Sequence, residues 1–349
     1  MYKKTKTVYV GKIPVGGGNP VTVQTMTKTD TRNVEQTCEQ IKEIVGAGCD
    51  IVRIAIPDKE AAEKTKEIVK FSPIPVIADI HFDYRLALIC ADNGVACLRI
   101  NPGNIGSKQR VKEVVKACKA NGIPIRIGVN SGSLEKELLE KYGNTPKAMV
   151  ESARRHIEFL EDLDFSNIKV SLKSSDVKKT VQACRMFAQK FDYPQHIGVT
   201  EAGTSNIGLI KSAIGIGSLL LDGIGDTIRV SLTDHPVKEV IAGRNILKAL
   251  NLLPDSPKFI SCPTCGRIQF DIKQFAEKIE KEIEKLKKPV TVAVMGCAVN
   301  GPGEAKEADY AVCGGKGYAA IYKKGKLIKK VKEENLLEEF LKIVREEND

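Results

Sequence analysis

The run Asp50-Ile51-Val52-Arg53-Ile54-Ala55-Ile56, followed closely by Lys59–Phe71, decides the fold. The first segment is apolar and β-branched, the mark of a buried strand, and the second is an amphipathic helical stretch. The same pair recurs in both directions along the chain. Strands are predicted at Val21–Met26, Asp50–Ile56, Pro75–Ile80, Cys97–Ile100, Pro124–Val129, Asn167–Leu172, His196–Thr200 and Asp226–Ser231. Helices are predicted at Val34–Ala47, Lys59–Phe71, Tyr84–Asn93, Lys108–Asn121, Pro146–Leu163, Ser175–Phe191, Ile207–Leu221 and Val237–Leu250. Gly94, Gly122 and Gly223 stand where such helices stop. Strand–helix alternation means parallel strands joined by right-handed crossovers. Eight units in about 230 residues match a closed (β/α)8 TIM barrel in count and length. An open doubly wound sheet is the rival, but no G-x-G-x-x-G follows the first strand.

The first twenty residues read as a hairpin, with Thr7–Val10 as a strand and Gly16–Pro20 as the turn. The three glycines do not make a phosphate loop, since no G-x-x-x-x-G-K-[ST] is present. At the other end, Leu252–Lys258 carries two prolines and reads as a linker. Beyond it the pattern changes to a small α+β domain. Its predicted elements are the helix Lys273–Lys287, strands at Val290–Met295, Asp309–Val312, Tyr318–Tyr322 and Leu327–Val331, and a closing helix Glu334–Glu347. The expected organisation is therefore a barrel over residues 1–252 and a second domain over residues 258–349.

Composition narrows the function. The 349 residues are 42% hydrophobic, yet no apolar run is long enough to span a membrane. The basic start Met1–Lys6 has no apolar segment behind it, so no export signal and a cytoplasmic setting are expected. Ten cysteines in a reducing compartment argue against disulfides. The net charge of +10 comes with 5% aromatics and no Trp, which leaves few stacking platforms for nucleic acid. The charge suits a small anionic ligand better.

The barrel supplies the place for that ligand. Residues at the C-terminal ends of barrel strands face the active site. Five of the strands carry a cation there: Arg53, Arg99, Arg126, Lys173 and Arg229. Any one of them alone would pass as a salt-bridged structural residue. Five converging without matching carboxylates are costly to keep unpaired, and a polyanion such as a diphosphate resolves the cost. Polar donors lie beside them at Asn101, Asn104, Asn130, Ser131, Ser171 and Ser231. Asp79 and His81 end the third strand. Glu201, after Thr200, ends the seventh, which has no cation of its own, so it fits an acid–base role better than Asp79.

Cys262-Pro263-Thr264-Cys265 and Met295-Gly296-Cys297, with Glu304 seven residues on, put three thiols and a carboxylate in one small region. Three thiolates hold three corners of a cubane iron–sulfur cluster, but C-x-x-C is equally at home on zinc. Cys38, Cys49, Cys90, Cys97, Cys118 and Cys184 are scattered singly and read as core. A barrel with little acid–base equipment beside a metal site leans towards a redox cluster. A zinc-stabilised phosphate-binding hydrolase or lyase remains the alternative, and a basic RNA-binding protein with a zinc knuckle is a third reading.

Several longer motifs make the chain familiar: Val23–Thr27, Val76–Arg85, Leu98–Gly106, Ile125–Lys136, Gly198-Val199-Thr200-Glu201-Ala202-Gly203, Cys262–Cys265 and Gly296-Cys297-Ala298-Val299-Asn300-Gly301-Pro302-Gly303-Glu304. Together they resemble the bacterial 4-hydroxy-3-methylbut-2-enyl diphosphate synthase family of the non-mevalonate isoprenoid pathway, from about residue 5 to 340. The chain resembles the short bacterial form, without an extra central domain. The resemblance implies an oxidoreductase that opens 2-C-methyl-D-erythritol 2,4-cyclodiphosphate. It implies a [4Fe–4S] cluster on Cys262, Cys265, Cys297 and Glu304. It implies a diphosphate clamp of Arg53, Arg99, Arg126, Asn130, Lys173, Arg229 and Ser231, with Thr200 and Glu201 at the reacting carbons and Asn300 near the cluster. Ser131 and Leu172 depart from the family's frequent alanine and valine, away from this chemistry. The implied partners are the cyclic diphosphate and a flavodoxin or ferredoxin as electron donor, with no nucleic acid and no membrane.

A homodimer is expected as well. The eighth helix ends near Leu250, at the bottom of the barrel, whereas the cations are at the top. That helix is about 20 Å long and the linker spans at most about 25 Å, stiffened by its prolines. The second domain is thus expected to cap the barrel of the other chain in a two-fold pair.

Overall fold

The structure is a computed structural model that describes residues 4–101, 105, 107–268, 271–286, 288–297, 303 and 306–346. It divides into two compact units, residues 1–252 and 253–349.

The first unit opens with an antiparallel hairpin, β1 (Thr7–Val10) and β2 (Ile13–Gly16), in which Val10 pairs with Ile13. The turn is Gly11-Lys12, not the glycine run at Gly16–Pro20. Gly11 has φ 59°, and a side chain there would crowd Pro75 at 3.2 Å. A tight two-residue turn demands that left-handed conformation, and Gly11 supplies it. Val10 and Val15 of the hairpin pack on Ile51, Ile77 and Cys97, which lie at or near the starts of three barrel strands. The hairpin therefore closes the N-terminal end of the barrel.

The barrel strands are β3 (Thr22–Met26), β4 (Ile51–Ala55), β5 (Val76–Asp79), β6 (Cys97–Ile100), β7 (Ile125–Asn130), β8 (Ile168–Lys173), β9 (His196–Ile197) and β10 (Thr227–Ile228). They pair in parallel, in the order β8-β7-β6-β5-β4-β3-β10-β9. A parallel bridge between Val170 and Gln195 joins the two ends of that row and completes the ring. The expected strands are present, but β9 and β10 are shorter than the sequence reading made them. Just past β9, Gly198 lies so close to the next strand that a Cβ would stand 2.2 Å from the Arg229 carbonyl oxygen. The ladder ends there and the mouth opens.

Helices follow the strands, and several start on side-chain caps. Asp58 accepts from the Ala61 N–H at 2.9 Å and Asp176 from the Lys179 N–H at 2.8 Å. A short helix at Lys136–Tyr142, absent from the sequence reading, precedes the long helix Pro146–Glu161. Glu135 ties the two together, accepting from Ser152 Oγ at 3.0 Å and lying 3.0 Å from His156 Nε2.

The second unit is a five-stranded sheet in the order β11 (Lys258–Ser261), β12 (Thr291–Met295), β13 (Tyr310–Gly315), β14 (Tyr318–Lys323) and β15 (Lys326–Lys332). The first three strands are parallel and the last two pairings antiparallel. The helices Ile272–Ile283 and Leu336–Glu346 bury Phe275, Ile279, Phe340 and Val344 against Val292, Val294, Val312 and Ile321 of the sheet. Burying four such side chains removes on the order of 6–12 kcal/mol of apolar exposure, before the cost of ordering them.

Candidate active site

Period-two alternation turns every second residue of a barrel strand inward. On β8 these are Lys169, Ser171 and Lys173, and on β7 Arg126, Gly128 and Asn130. Arg53, Asp79 and Arg99 come in from β4, β5 and β6, and Arg229 and Ser231 lie just past β10. The result is one cavity of about 190 Å³ lined by Arg53, Asp79, His81, Arg99, Arg126, Asn130, Ser171, Lys173, Thr200, Arg229 and Ser231. The seven residues implied as the diphosphate clamp, and Thr200, are among them. Gly128 is needed for room, because a Cβ there would stand 2.5 Å from Arg99 Nε.

The charges in the cavity do not balance. Asp79 lies 3.1 Å from Arg99 Nη1 and 3.6 Å from Arg53 Nε. Burial pushes its carboxyl up, but Arg53 and then Arg99 outweigh that and hold it at about 2. Glu239, buried on the helix Pro236–Ala249, lies 3.5 Å from Arg229 Nη2 and accepts from the Leu232 N–H at 2.9 Å. Among the described residues, Arg126 and Lys173 have no ion-pair partner. Arg126 Nη1 donates to Ser171 Oγ at 3.2 Å, while its Nε and Nη2 have no acceptor, as is true of Arg99 Nε and Arg229 Nε. Burial lowers the affinity of Arg126 for its proton well below the ordinary value, and neighbouring Arg53 and Arg99 lower it further. Burial brings Arg53 down to about 10. Unsatisfied buried donors of one sign are expensive, so the cavity is built for an anion with several oxygens.

Glu201 does not line this cavity. It is exposed, next to Thr200, and holds φ 51°, a left-handed backbone uncommon outside glycine.

In the second unit, β11 and β12 run side by side, with Ser261 opposite Val294. Cys262 follows β11 directly and Cys297 follows β12 by two residues. The Gly296 N–H donates to Cys262 Sγ at 3.1 Å. Cys265 is exposed, and hydrogen bonds from Arg267, backbone first and then side chain, hold its thiol below the ordinary value. Every other cysteine, Cys313 included, is buried. Burial, then the proximity of Cys297 and Cys262, pushes Cys313 up to about 11. Three accessible thiols on adjacent loops, one already accepting an N–H and one easily ionised, are the donor chemistry of a thiolate-bound metal group. Among the described residues no three His, Cys, Asp or Glu side chains are drawn together as an ion site. Asn300 and Glu304 lie outside the described residues.

The family model for the GcpE TIM-barrel domain matches residues 5–244, and that for the GcpE protein C-terminal domain matches residues 258–346. The chain belongs to the GcpE family. Relatives of GcpE type extend over its whole length. A 4-hydroxy-3-methylbut-2-en-1-yl diphosphate synthase (flavodoxin) from Clostridium perfringens is 58% identical, covering 98% of this chain and 98% of that protein. One of the same name from Caldanaerobacter subterraneus is 57% identical, covering 98% and 97%. Among solved structures, an N-acetylneuraminic acid synthetase from Leptospira borgpetersenii matches with TM-score 0.51 at 14% identity, covering 81% of this chain and 98% of that one, a likeness of fold.

Three inward or buried groups of this GcpE barrel escape sequence reasoning. They are His196, Lys169 and Glu239. His196 and Lys169 sit at strand starts, and only the period-two rule run backwards from Lys173 and Gly198 would find them. Glu239 is on a helix, where its position ten residues after Arg229 is the one available signal. No described helix is long and apolar enough to cross a membrane.

Proposed function

We propose that this enzyme converts 2-C-methyl-D-erythritol 2,4-cyclodiphosphate to 4-hydroxy-3-methylbut-2-enyl diphosphate, with reduced flavodoxin as the electron source. Two electrons and two protons enter, the ring C–O bond breaks, and one oxygen leaves as water. Full-length relatives at 53–58% identity that carry the product's name, with flavodoxin in it, support this reading. The observation that carries it is the cavity, where five cations share the wall with one carboxylate, Asp79, and three guanidiniums keep unpaired N–H groups.

In this reading Arg53, Arg99, Arg126, Lys173 and Arg229 hold the diphosphate, with Asn130 and Ser231 as neutral donors. Guanidinium forks match phosphate oxygens two at a time, which fixes orientation as well as affinity. Asp79 holds Arg53 and Arg99 apart and aimed, so the clamp does not reorganise on binding. Thr200 lines the carbon side of the cavity, and Glu201 beside it is assigned the proton for the departing hydroxyl. Cys262, Cys265, Cys297 and Glu304 would hold a [4Fe–4S] cluster, which when bound supplies single electrons and a Lewis-acidic iron. The carboxylate is the most exchangeable of those four ligands, being hard among soft thiolates. Asn300 is assigned to the substrate on that side.

The active form is a cytoplasmic homodimer in which each cluster domain caps the barrel of the other chain. The linker argument supports it: the chain leaves the barrel after Ala249 at the end opposite the cavity. The deciding experiment is anaerobic purification followed by turnover with reduced flavodoxin and the cyclodiphosphate. A brown protein containing iron and sulfide, and product seen by phosphorus NMR, are expected. A colourless zinc protein that forms no product overturns the assignment.

A further inference from the structure

Lys173 and His196 form a pair that the clamp does not explain. Both are fully enclosed in the barrel, and their Nζ and Nε2 atoms are 3.1 Å apart. Lys173 lines the cavity, whereas His196 lies behind it and does not. His196 pairs in register with Thr227 of β10, whose hydroxyl takes a hydrogen bond from Lys169 Nζ at 3.3 Å. The charged groups facing the pair are Arg126 from β7, Lys169 from β8, Arg53 and Arg99 from β4 and β6, and Arg229 after β10. All are cations. Asp79 on β5 is engaged with Arg53 and Arg99, and Glu239 with Arg229. The pair therefore has no counter-ion of its own.

We propose that His196 is a positioning residue for the anion clamp. Its neutral imidazole holds the Lys173 amine at the cavity, and the pair takes up one proton when a diphosphate enters. The inference rests on the reading that the cavity takes a diphosphate.

The charged form of Lys173 leaves one assignment of roles. A neutral imidazole has one donor and one acceptor nitrogen. Lys173 in its charged form has donors only, so Nε2 then accepts from it and the ring proton sits on Nδ1, which has no other partner. With the cavity empty, burial and then the guanidinium of Arg229 disfavour the Lys173 ammonium strongly. His196 is likewise held neutral, above all by burial. An incoming diphosphate reverses the local field and makes the ammonium the favoured form. The proton goes to the Lys173 nitrogen lone pair, and the His196 acceptor keeps the ammonium aimed.

Calorimetry of inorganic diphosphate binding to the full chain tests this. Titration in two buffers of different ionisation enthalpy at neutral pH counts the protons taken up. Diphosphate carries protons of its own at neutral pH, so the count is taken against Lys173→Met: about one proton more is expected for the wild type, with affinity falling up to tenfold per pH unit on the alkaline side. His196→Leu is expected to weaken binding by about tenfold or more, since the ammonium loses a charge-assisted bond. His196→Gln, whose amide oxygen accepts the same bond, is expected to recover most of the loss. Lys173→Met supplies that reference, because residual binding by the arginines remains measurable. Equal proton counts in the wild type and Lys173→Met overturn the inference even if diphosphate binds. Equal loss in the Leu and Gln variants also overturns it, because that marks a packing role. If diphosphate does not bind the wild type at all, the reading of the cavity falls together with the inference.

Discussion

The Arg99 guanidinium lies directly across Gly128, and a Cβ on Gly128 would stand 2.5 Å from Arg99 Nε and 2.8 Å from Nη2. The backbone of Gly128 is not in the left-handed region, so its role is space rather than conformation. Gly128→Ala should push Arg99 off Asp79 and out of the clamp. Diphosphate affinity is expected to fall by roughly ten- to a hundredfold, the worth of a charge-assisted contact. Thermal unfolding of the variant should still be cooperative. Wild-type affinity in the alanine variant would remove Arg99 from the site.

Asp79 links the clamp to acid stability. Its carboxyl stands at about 2 when folded, against about 3.9 in an unfolded chain. A depressed value of this kind contributes stability that is complete above about pH 4 and disappears as pH falls towards 2. Asp79→Asn should flatten that part of the stability–pH curve. At neutral pH it should destabilise by about 3–5 kcal/mol, because Arg53 and Arg99 are left buried without a partner. Inorganic diphosphate should restore part of the loss in Tm. A variant with unchanged Tm and no response to diphosphate would rule out this balance.

The cysteine assignment separates Cys297 from Cys313. Cys313 is buried beside Ala293, Met295 and Ala311 and resists ionisation, whereas Cys297 is half-buried on the loop after β12. Cys297→Ser should lose the iron. Cys313→Ser should keep it, at a stability cost of roughly 1 kcal/mol for a hydroxyl in an apolar site. Iron and sulfide analysis of both proteins decides between them, and an iron-free Cys313→Ser would make Cys313 the fourth ligand instead of Glu304.

Glu201 is exposed on the rim in a left-handed conformation, which fits a residue held for function at some backbone cost. Glu201→Gln keeps the shape and removes the acid. It is expected to lower kcat by about 10²- to 10⁴-fold, the range of general acid catalysis, with diphosphate binding unchanged. Full turnover in the glutamine variant would end its assigned role.

Composite active sites can be tested by mixing. A Cys297→Ser chain lacks the cluster, and an Arg126→Leu chain lacks the centre of the clamp. Each should be inactive alone. Refolded or co-expressed together, they should recover partial activity, because one mixed-dimer site combines an intact barrel with an intact cluster domain. Mixed dimers that form and stay inactive would show that each chain uses its own cluster.

The barrel was legible in the sequence because strand and helix periods alternate without interruption, and β7 and β8 differ from expectation by a residue at most at either end. The five cations were legible because strand-end position and inward phase are both local properties. What escaped depends on distant neighbours. The shortness of β9 and β10 is one case, and the close approach of Gly198 to Arg229 beside them is a contact that no local pattern encodes. The glycine run at 16–18 outweighs the modest Gly11-Lys12 in composition, yet register with β2 puts the turn at the latter. Glu239 and His196 read as an ordinary helix residue and an ordinary strand start. Their burial is a tertiary outcome, set by what packs over them.

The N-terminal hairpin that seals the lower end of the barrel makes the catalytic chamber a vessel with a single door. Nothing passes through it, so substrate and product must use the same opening in turn. In the proposed capped dimer, the domain over that opening would have to lift once per cycle before the next molecule enters. A cover tight enough to exclude water then sets a ceiling on turnover, and loosening it speeds release at the expense of the dryness that reduction requires.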